Sequence, residues 1–303
     1  MNERLSRRAA LVLFSLVILC WGFNWSVAKL LVQSVPPLWM VAIRSAIALG
    51  VLLVLMLATR SLRLPERGDL PVVFNIALLH MGAFAILMAI GLMHVPAGRS
   101  IVLGFTTPLW VIPGAILFLG ERITAMRAAG MVLGLAGLLL LFNPYALDWT
   151  DRRGLLGNGL LMLAAFCWAI SILHLRAHRW ISTPYRLVFW EVLVATLVLT
   201  AVAAAFEGVP RFEWTARVTL LFLYGGVFGV ALAYWAMAMV NRSLPAMTTS
   251  LGVLATPVVG ILSAIVLLDE PFSAGLAFAL ALIIGGIALG TAGGAKAALP
   301  PDP

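Results

Sequence analysis

Residues 96–121 read PAGRSIVLGFTTPLWVIPGAILFLGE, and residues 245–270 read PAMTTSLGVLATPVVGILSAIVLLDE. Each stretch opens on Pro-Ala (Pro96-Ala97, Pro245-Ala246) and carries Thr-Pro in its middle (Thr107-Pro108, Thr256-Pro257). Each closes on an acidic turn, Gly120-Glu121 or Asp269-Glu270, and the spacing between marks is the same in both. Further out, Gly137 falls on Gly286, and Cys20-Trp21 falls on Cys167-Trp168 at nearly the same offset. Self-similarity over half a chain is the mark of an internal duplication.

The chain around these stretches is a membrane chain. Of 303 residues 63% are hydrophobic and 11% charged, against about 25% charged in a soluble domain. That balance excludes a soluble enzyme, a disordered chain and a nucleic-acid binder. A span of about 30 Å of hydrocarbon takes about 20 helical residues. Ten such segments can be drawn, at 9–31, 37–58, 70–92, 97–119, 124–142, 155–175, 184–206, 216–239, 246–268 and 272–292. The breaks fall at Pro36-Pro37, Arg60 to Asp69, Pro96, Gly120-Glu121, Asn143-Pro144, Thr183-Pro184, Pro210 and Pro245. The basic start, Met1 to Arg8, runs into apolar sequence with no small-residue cleavage site, so it reads as a first span and not a removed signal.

The net charge of +8 is a topology signal. With the N-terminus in the cytoplasm, most Lys and Arg outside the spans fall on the cytoplasmic side, as the positive-inside rule requires. Arg99, Arg152, Arg153, Arg211 and Arg217 are the opposite-side minority. The expected fold is an all-α polytopic membrane protein of ten transmembrane helices, with both termini cytoplasmic. It divides into a first five-helix repeat at 1–147, a second at 148–292 and a flexible tail at 293–303. Five spans per half is odd, so the second repeat is inverted, the architecture of secondary transporters with a site near the midplane. Cys20 and Cys167 lie inside apolar segments without metal-type spacing.

The pattern resembles the ten-helix EamA-type branch of the drug/metabolite transporter superfamily. The residues carrying the resemblance are Trp21-Gly22-Phe23-Asn24-Trp25, the stretch from Thr107 to Thr124, and the fifth-span glycines Gly130, Gly134 and Gly137. The second-half echo runs through Thr256-Pro257, Asp269-Glu270 and Gly285-Gly286. The resemblance spans nearly the whole chain. It implies an exporter of amino acids or other small metabolites, the aromatic amino-acid exporters being the nearest type, with spans five and ten peripheral. Trp168-Ala169-Ile170-Ser171 lacks the Gly and Asn of the first-half motif, which implies unequal contributions from the two halves.

Several residues are candidates for the work. Arg44 lies inside span two, where a charge costs about 2.5–3.5 kcal/mol on insertion scales. It is either a substrate-carboxylate ligand or gate, or a side chain snorkelling to the outer interface. Glu191 is its repeat counterpart, and inversion sets it toward the opposite face. Glu191 is the intramembrane carboxylate available for proton coupling, with an interface ion pair to Arg186 or Arg179 as the other reading. Lys29 reads as an interface anchor ahead of a substrate contact. His80, central in span three, is a proton relay or carboxylate ligand, or a neutral hydrogen-bonded packing residue.

Trp21 and Trp25 share a helix face with Asn24 beside them, and Trp168 and Ser171 are the second-half equivalents. Met81, Phe84 and Met88 form a stripe in span three. Tyr224, Phe228 and Trp235 fall on one side of an ideal span eight. A chamber lined this way suits an apolar or aromatic solute, and ordinary packing is the plain alternative for each residue. Thr107 and Thr256 end polar stripes at Pro108 and Pro257, which can break the helix at a binding site. The alternative there is a kink whose freed carbonyls the Thr106 or Thr107 hydroxyls satisfy. Glu121 and Glu270 read as caps or pairing residues.

No nucleotide-binding lysine loop, metalloprotease helix or nucleophile elbow is present in the sequence. The expected protein is a cell inner-membrane secondary transporter without cofactor or metal. By alternating access it exports small metabolites, amino acids including aromatic ones. Its partners are that solute and the bilayer, with no nucleic acid, and it is a monomer or weak homodimer. A multidrug or other metabolite exporter is the alternative in the class. A membrane-embedded enzyme is the alternative outside it.

Overall fold

The computed structural model describes residues 5–120, 124–141, 150–244, 249 and 252–297. Glu121, and the stretch from Pro245 to Thr248, lie outside them. The described residues are helical and turn, with no strand. Seven helices are long and apolar enough to cross a membrane. They are α1 (Arg7–Val32), α2 (Pro37–Ala58), α3 (Arg67–His94), α4 (Ala97–Leu119), α6 (Arg152–Ala177), α7 (Pro184–Glu207) and α8 (Ala216–Met237, continued to Ser243). Three further apolar helices are α5 (Ala125–Leu141), α9 (Ala255–Leu268) and α10 (Ala274–Ala297), whose apolar stretches are shorter.

Local sequence explains where the helices start and stop. Pro37 and Pro184 sit in the first turns of α2 and α7, where a missing N–H costs nothing and φ is preset. Ser6, Asp151 and Thr215 accept hydrogen bonds from Ala9, Gly154 and Val218 at the starts of α1, α6 and α8. Gly120 ends α4 at φ 66°, a left-handed conformation that suits glycine. Asp269 takes the same role after α9 at φ 53°.

Three carboxylates hold helix starts or loops from far along the chain. Glu207 accepts from Leu38 and Trp39 N–H at 3.0 and 2.9 Å, at the start of α2. Glu270 accepts from Ala97 and Gly98 N–H at 2.6 and 2.8 Å, at the start of α4. Asp69 accepts from Ile181 and Ser182 N–H at 3.1 and 2.7 Å, just before α7, and meets His178 Nε2 at 3.1 Å. Each supplies an anion to N–H groups that no helical carbonyl can reach. Lys29 works at the opposite kind of end: its ammonium donates to the Leu92 and Val95 carbonyls that close α3.

Lipid tails are as apolar as core side chains, so helices associate here through close packing and hydrogen bonds. α5 and α10 meet along glycines: a Cβ on Gly130 would lie 2.5 Å from the Gly286 carbonyl oxygen. Ser26 and Ser263 join α1 to α9 at 2.6 Å, and Ser45 and Thr196 join α2 to α7 at 2.7 Å. α1 packs on α8 and α9, while α6 packs on α3 and α4; α2 packs on α7 and α8, and α7 also on α3. The outward side chains are apolar, Leu117, Phe118 and Val266 each being more than 70% exposed, which fits a hydrocarbon surrounding.

Two helices change pitch in their middles. Ile76–Ala83 of α3 and Tyr224–Leu232 of α8 are π-helical, a wide winding that is rare and gathers at functional sites. α4 breaks outright. Helix Ala97–Gly104 ends, Phe105 and Thr106 make a turn, and Thr107–Leu119 begins. Thr106 and Thr107 hydroxyls donate to the Leu103 and Gly104 carbonyls at 2.6 and 2.8 Å. The carbonyls freed by Pro108 are therefore satisfied locally.

Candidate functional site

The pitch changes matter because they surround a chamber of about 140 Å³. From α1 it receives Trp21, Asn24 and Trp25; from α2, Val41, Arg44 and Ser45. The π segment of α3 brings His80 and Met81, and the turn beyond brings Phe84, Ala85 and Met88. The α4 break delivers Phe105, and α6 delivers Trp168. Val192 and Leu199 of α7 and Gly229, Val230 and Tyr234 of α8 complete the wall. A cavity of about 150 Å³ lined by apolar side chains takes a benzene-sized guest, so this chamber has room for one aromatic ring.

Its polar end is Arg44. The side chain is 5% exposed, so it stays in the bundle and does not snorkel to the interface. One terminal nitrogen donates to Asn24 Oδ1 at 2.8 Å and the other approaches Met40 Sδ at 3.5 Å. Arg44 Nε has no partner among the described residues. Gly225 makes the seat: a Cβ there would lie 2.6 Å from Arg44 Nε. Nε is thus covered by α8, and the terminal nitrogens carry the remaining donors; a guanidinium on a cavity wall is what a carboxylate recognises, often in bidentate form.

The rest of the wall is aromatic and internally braced. His80 stacks on Trp168 at 4.9 Å with the planes 7° apart, and its Nε2 lies 3.3 Å from the Tyr234 hydroxyl. Phe84 and Phe105 meet Trp168 edge-on at 5.3 and 6.0 Å. Trp21 meets Tyr234 edge-on at 5.8 Å. Trp25 packs over Gly104, where a Cβ would lie 2.6 Å from the indole. Rings held by edge-to-face contacts give a fixed apolar slot.

The residues singled out in the sequence divide at this wall. Trp21, Asn24, Trp25, Arg44, His80, Phe84 and Trp168 stand on it together. Phe228 does not: it is 46% exposed on the outside. The π segment explains this, because each wide turn shifts every later side chain off the ideal-helix face. Tyr224 is turned instead to the Cys20 carbonyl, 3.3 Å away, and Trp235 packs beside α2 and α7 off the wall. Tyr234 takes the place the ideal helix gave to its neighbours.

Other singled-out residues sit in the framework. Thr107 and Pro108 belong to the α4 break, off the wall. Thr256 and Pro257 are buried at the start of α9. Ser171 donates to Asn75 Oδ1 at 2.7 Å, tying α6 to α3. Glu191 is 5% exposed and next to the wall residue Val192, yet is not on the wall, and its Oε1 has no partner among the described residues. The residues the sequence reading passed over include Ser45, Phe105 and Tyr234. Glycines 225, 226 and 229 beside the pitch change were the available signal, since closely placed glycines mark close approaches.

An all-helical bundle with an apolar exterior and a central chamber is the build of a multi-pass membrane transporter. The model of the EamA-like transporter family matches residues 8–143 and again 155–291. The chain belongs to that family, within the drug/metabolite transporter superfamily. It is 25% identical over 276 residues to the uncharacterized transporter YoaV of Bacillus subtilis, covering 91% of this chain and 94% of that one. It is 28% identical over 289 residues to a probable amino-acid metabolite efflux pump of Escherichia coli, covering 90% and 91% of the two chains. A solved crystal structure superimposes with a TM-score of 0.66 at 22% identity over 97% of this chain and 100% of the other, a likeness of fold. The family and these relatives are transporters, not enzymes.

Proposed function

We propose that this chain is a ten-span secondary exporter of small metabolites that carry a ring and a carboxylate, amino acids including aromatic ones. The observation carrying this is the pairing of the Arg44 guanidinium with the ring-sized slot of Trp21, Phe84, Trp168 and Tyr234 on one chamber wall. The E. coli relative named as an amino-acid metabolite efflux pump supports the amino-acid class. A chamber of about 140 Å³ favours single-ring solutes over the multi-ring compounds that a multidrug exporter takes.

The mechanism is alternating access by two inverted five-helix repeats, 1–147 and 148–292, in a bacterial inner membrane with both termini cytoplasmic. Three observations support it. The family model matches twice along the chain. The packing of α1 on α9 and of α2 on α8 has its counterpart in α6 on α4 and α7 on α3. The two π segments occupy corresponding places in α3 and α8. The breaks at Pro108 and Pro257 are the proposed flexing points, and Arg44 and its repeat counterpart Glu191 are the proposed gating or coupling residues. The glycine faces of α5 and α10 are used on each other inside the chain, which favours a monomer.

Purified protein in liposomes loaded with unlabelled amino acid tests this reading. Labelled phenylalanine, tryptophan, threonine and methionine are supplied outside, with and without a pH gradient. Saturable exchange of unchanged label in protein-containing vesicles only is expected. Absence of exchange for every one of them, in folded protein, would sink it.

A further inference from the structure

The charges around the chamber are unequal. Among the described residues of its wall, Arg44 is the one carrying a permanent charge, and no Asp or Glu lines it. Glu191, the nearest carboxylate along the chain to a wall residue, is off the wall. The Asn24 carbonyl oxygen, a side-chain acceptor beside Arg44 on the wall, is already taken by the Arg44 guanidinium at 2.8 Å.

An amino acid bound here by its carboxylate brings its ammonium with it, one carbon away. That ammonium is drawn next to the Arg44 guanidinium, with no carboxylate among the wall residues to meet it. Like charges at close range in a low-dielectric site repel strongly, and a buried charge without a partner pays its full desolvation cost. The ring faces offer some compensation through cation–π attraction. However, Trp168 is covered on one face by His80, and Tyr234 and Trp21 are held edge to face.

We propose that the chamber is a site for single-ring aromatic monocarboxylate anions without an α-ammonium, the arylacetate and aryl-2-oxo-acid class, in preference to the matching amino acids. The proposal rests on the transport reading above and sharpens its substrate. The carboxylate sits on the free hydrogens of the Arg44 terminal nitrogens. The ring lies in the slot lined by Trp21, Phe84 and Trp168, and the α-carbon faces the unpaired region where an ammonium is disfavoured.

Full-length protein in detergent, titrated with phenylacetate, phenylalanine and phenethylamine while its tryptophan fluorescence is followed, separates the cases. Three tryptophans, Trp21, Trp25 and Trp168, line the chamber and report occupancy. Phenylacetate is expected to bind at least about tenfold more tightly than phenylalanine, the equivalent of about 1.4 kcal/mol, and phenethylamine not to bind. Arg44→Gln should abolish phenylacetate binding, while Arg44→Lys, which keeps the charge, should retain a weakened form. Phenylalanine binding as well as phenylacetate, or phenethylamine binding at all, overturns the charge preference and leaves the transport reading standing. Failure of all three to bind protein that unfolds cooperatively overturns the preference and the assignment of the chamber together.

Discussion

Arg44 of α2 donates to Asn24 Oδ1 of α1 at 2.8 Å, inside a bundle that leaves Arg44 only 5% exposed. The contact fixes the guanidinium toward the chamber and spends one of its donors. A charge so placed costs several kcal/mol unless it is used, and the remaining hydrogens of its terminal nitrogens are the part available to a solute.

Arg44→Gln should therefore remove saturable transport while leaving the fold intact, since glutamine is short, neutral and able to hydrogen-bond Asn24. Asn24→Ala frees the guanidinium to swing. It should raise the half-saturating concentration several-fold with a smaller effect on the maximal rate. Initial rates over a range of solute concentrations in proteoliposomes distinguish the two patterns.

Trp168 is the hub of the aromatic wall, touching His80, Phe84 and Phe105. Trp168→Ala should cost affinity for every ring-bearing solute, by about 1–3 kcal/mol for one lost stacking face. Trp168→Phe should recover part of it. Equal affinity for wild type and the alanine variant would remove the stacking role.

Glu270 reaches back from beyond α9 to the first N–H groups of α4. Capping contacts of this kind are worth about 0.5–2 kcal/mol, and Glu270→Ala leaves two buried-side donors open. A lower unfolding temperature is expected, with Glu270→Gln intermediate because one oxygen acceptor remains. Glu207→Ala at the start of α2 should behave the same way.

Glycines 130 and 286 bring α5 and α10 backbone to backbone. Gly286→Leu drives a side chain into the α5 backbone near Gly134, so thermal stability should fall sharply. Transport by the fraction that folds should keep its affinity, because neither helix reaches the chamber wall. A changed affinity at unchanged stability would contradict this division of labour.

The sequence made the helical elements legible because each mark has one physical reading. Apolar runs near span length, prolines at Pro37 and Pro184 and the left-handed turn at Gly120 all signal helix bodies and ends. Arg44, Asn24 and the tryptophans were legible as well, since polar and aromatic groups in apolar runs are few. Tyr234 and Phe228 were not. Their exchange of place follows from the π winding at Tyr224–Leu232, and an ideal helical period has no way to count an extra residue per turn. Thr107 illustrates the other difficulty: a hydroxyl that bonds the carbonyl a turn back, here Gly104 at 2.8 Å, reads in sequence just like one that waits for a solute.

Alternating access requires the chamber to open in turn to the two sides of the membrane. Ser45 lines it, and Ser45→Cys with Cys20 and Cys167 changed to serine places a single thiol there. A membrane-impermeant maleimide is then expected to label this thiol when added from either face of oriented vesicles, and saturating solute to slow labelling from both. Labelling from one face only, or at a rate that solute leaves unchanged, would contradict it.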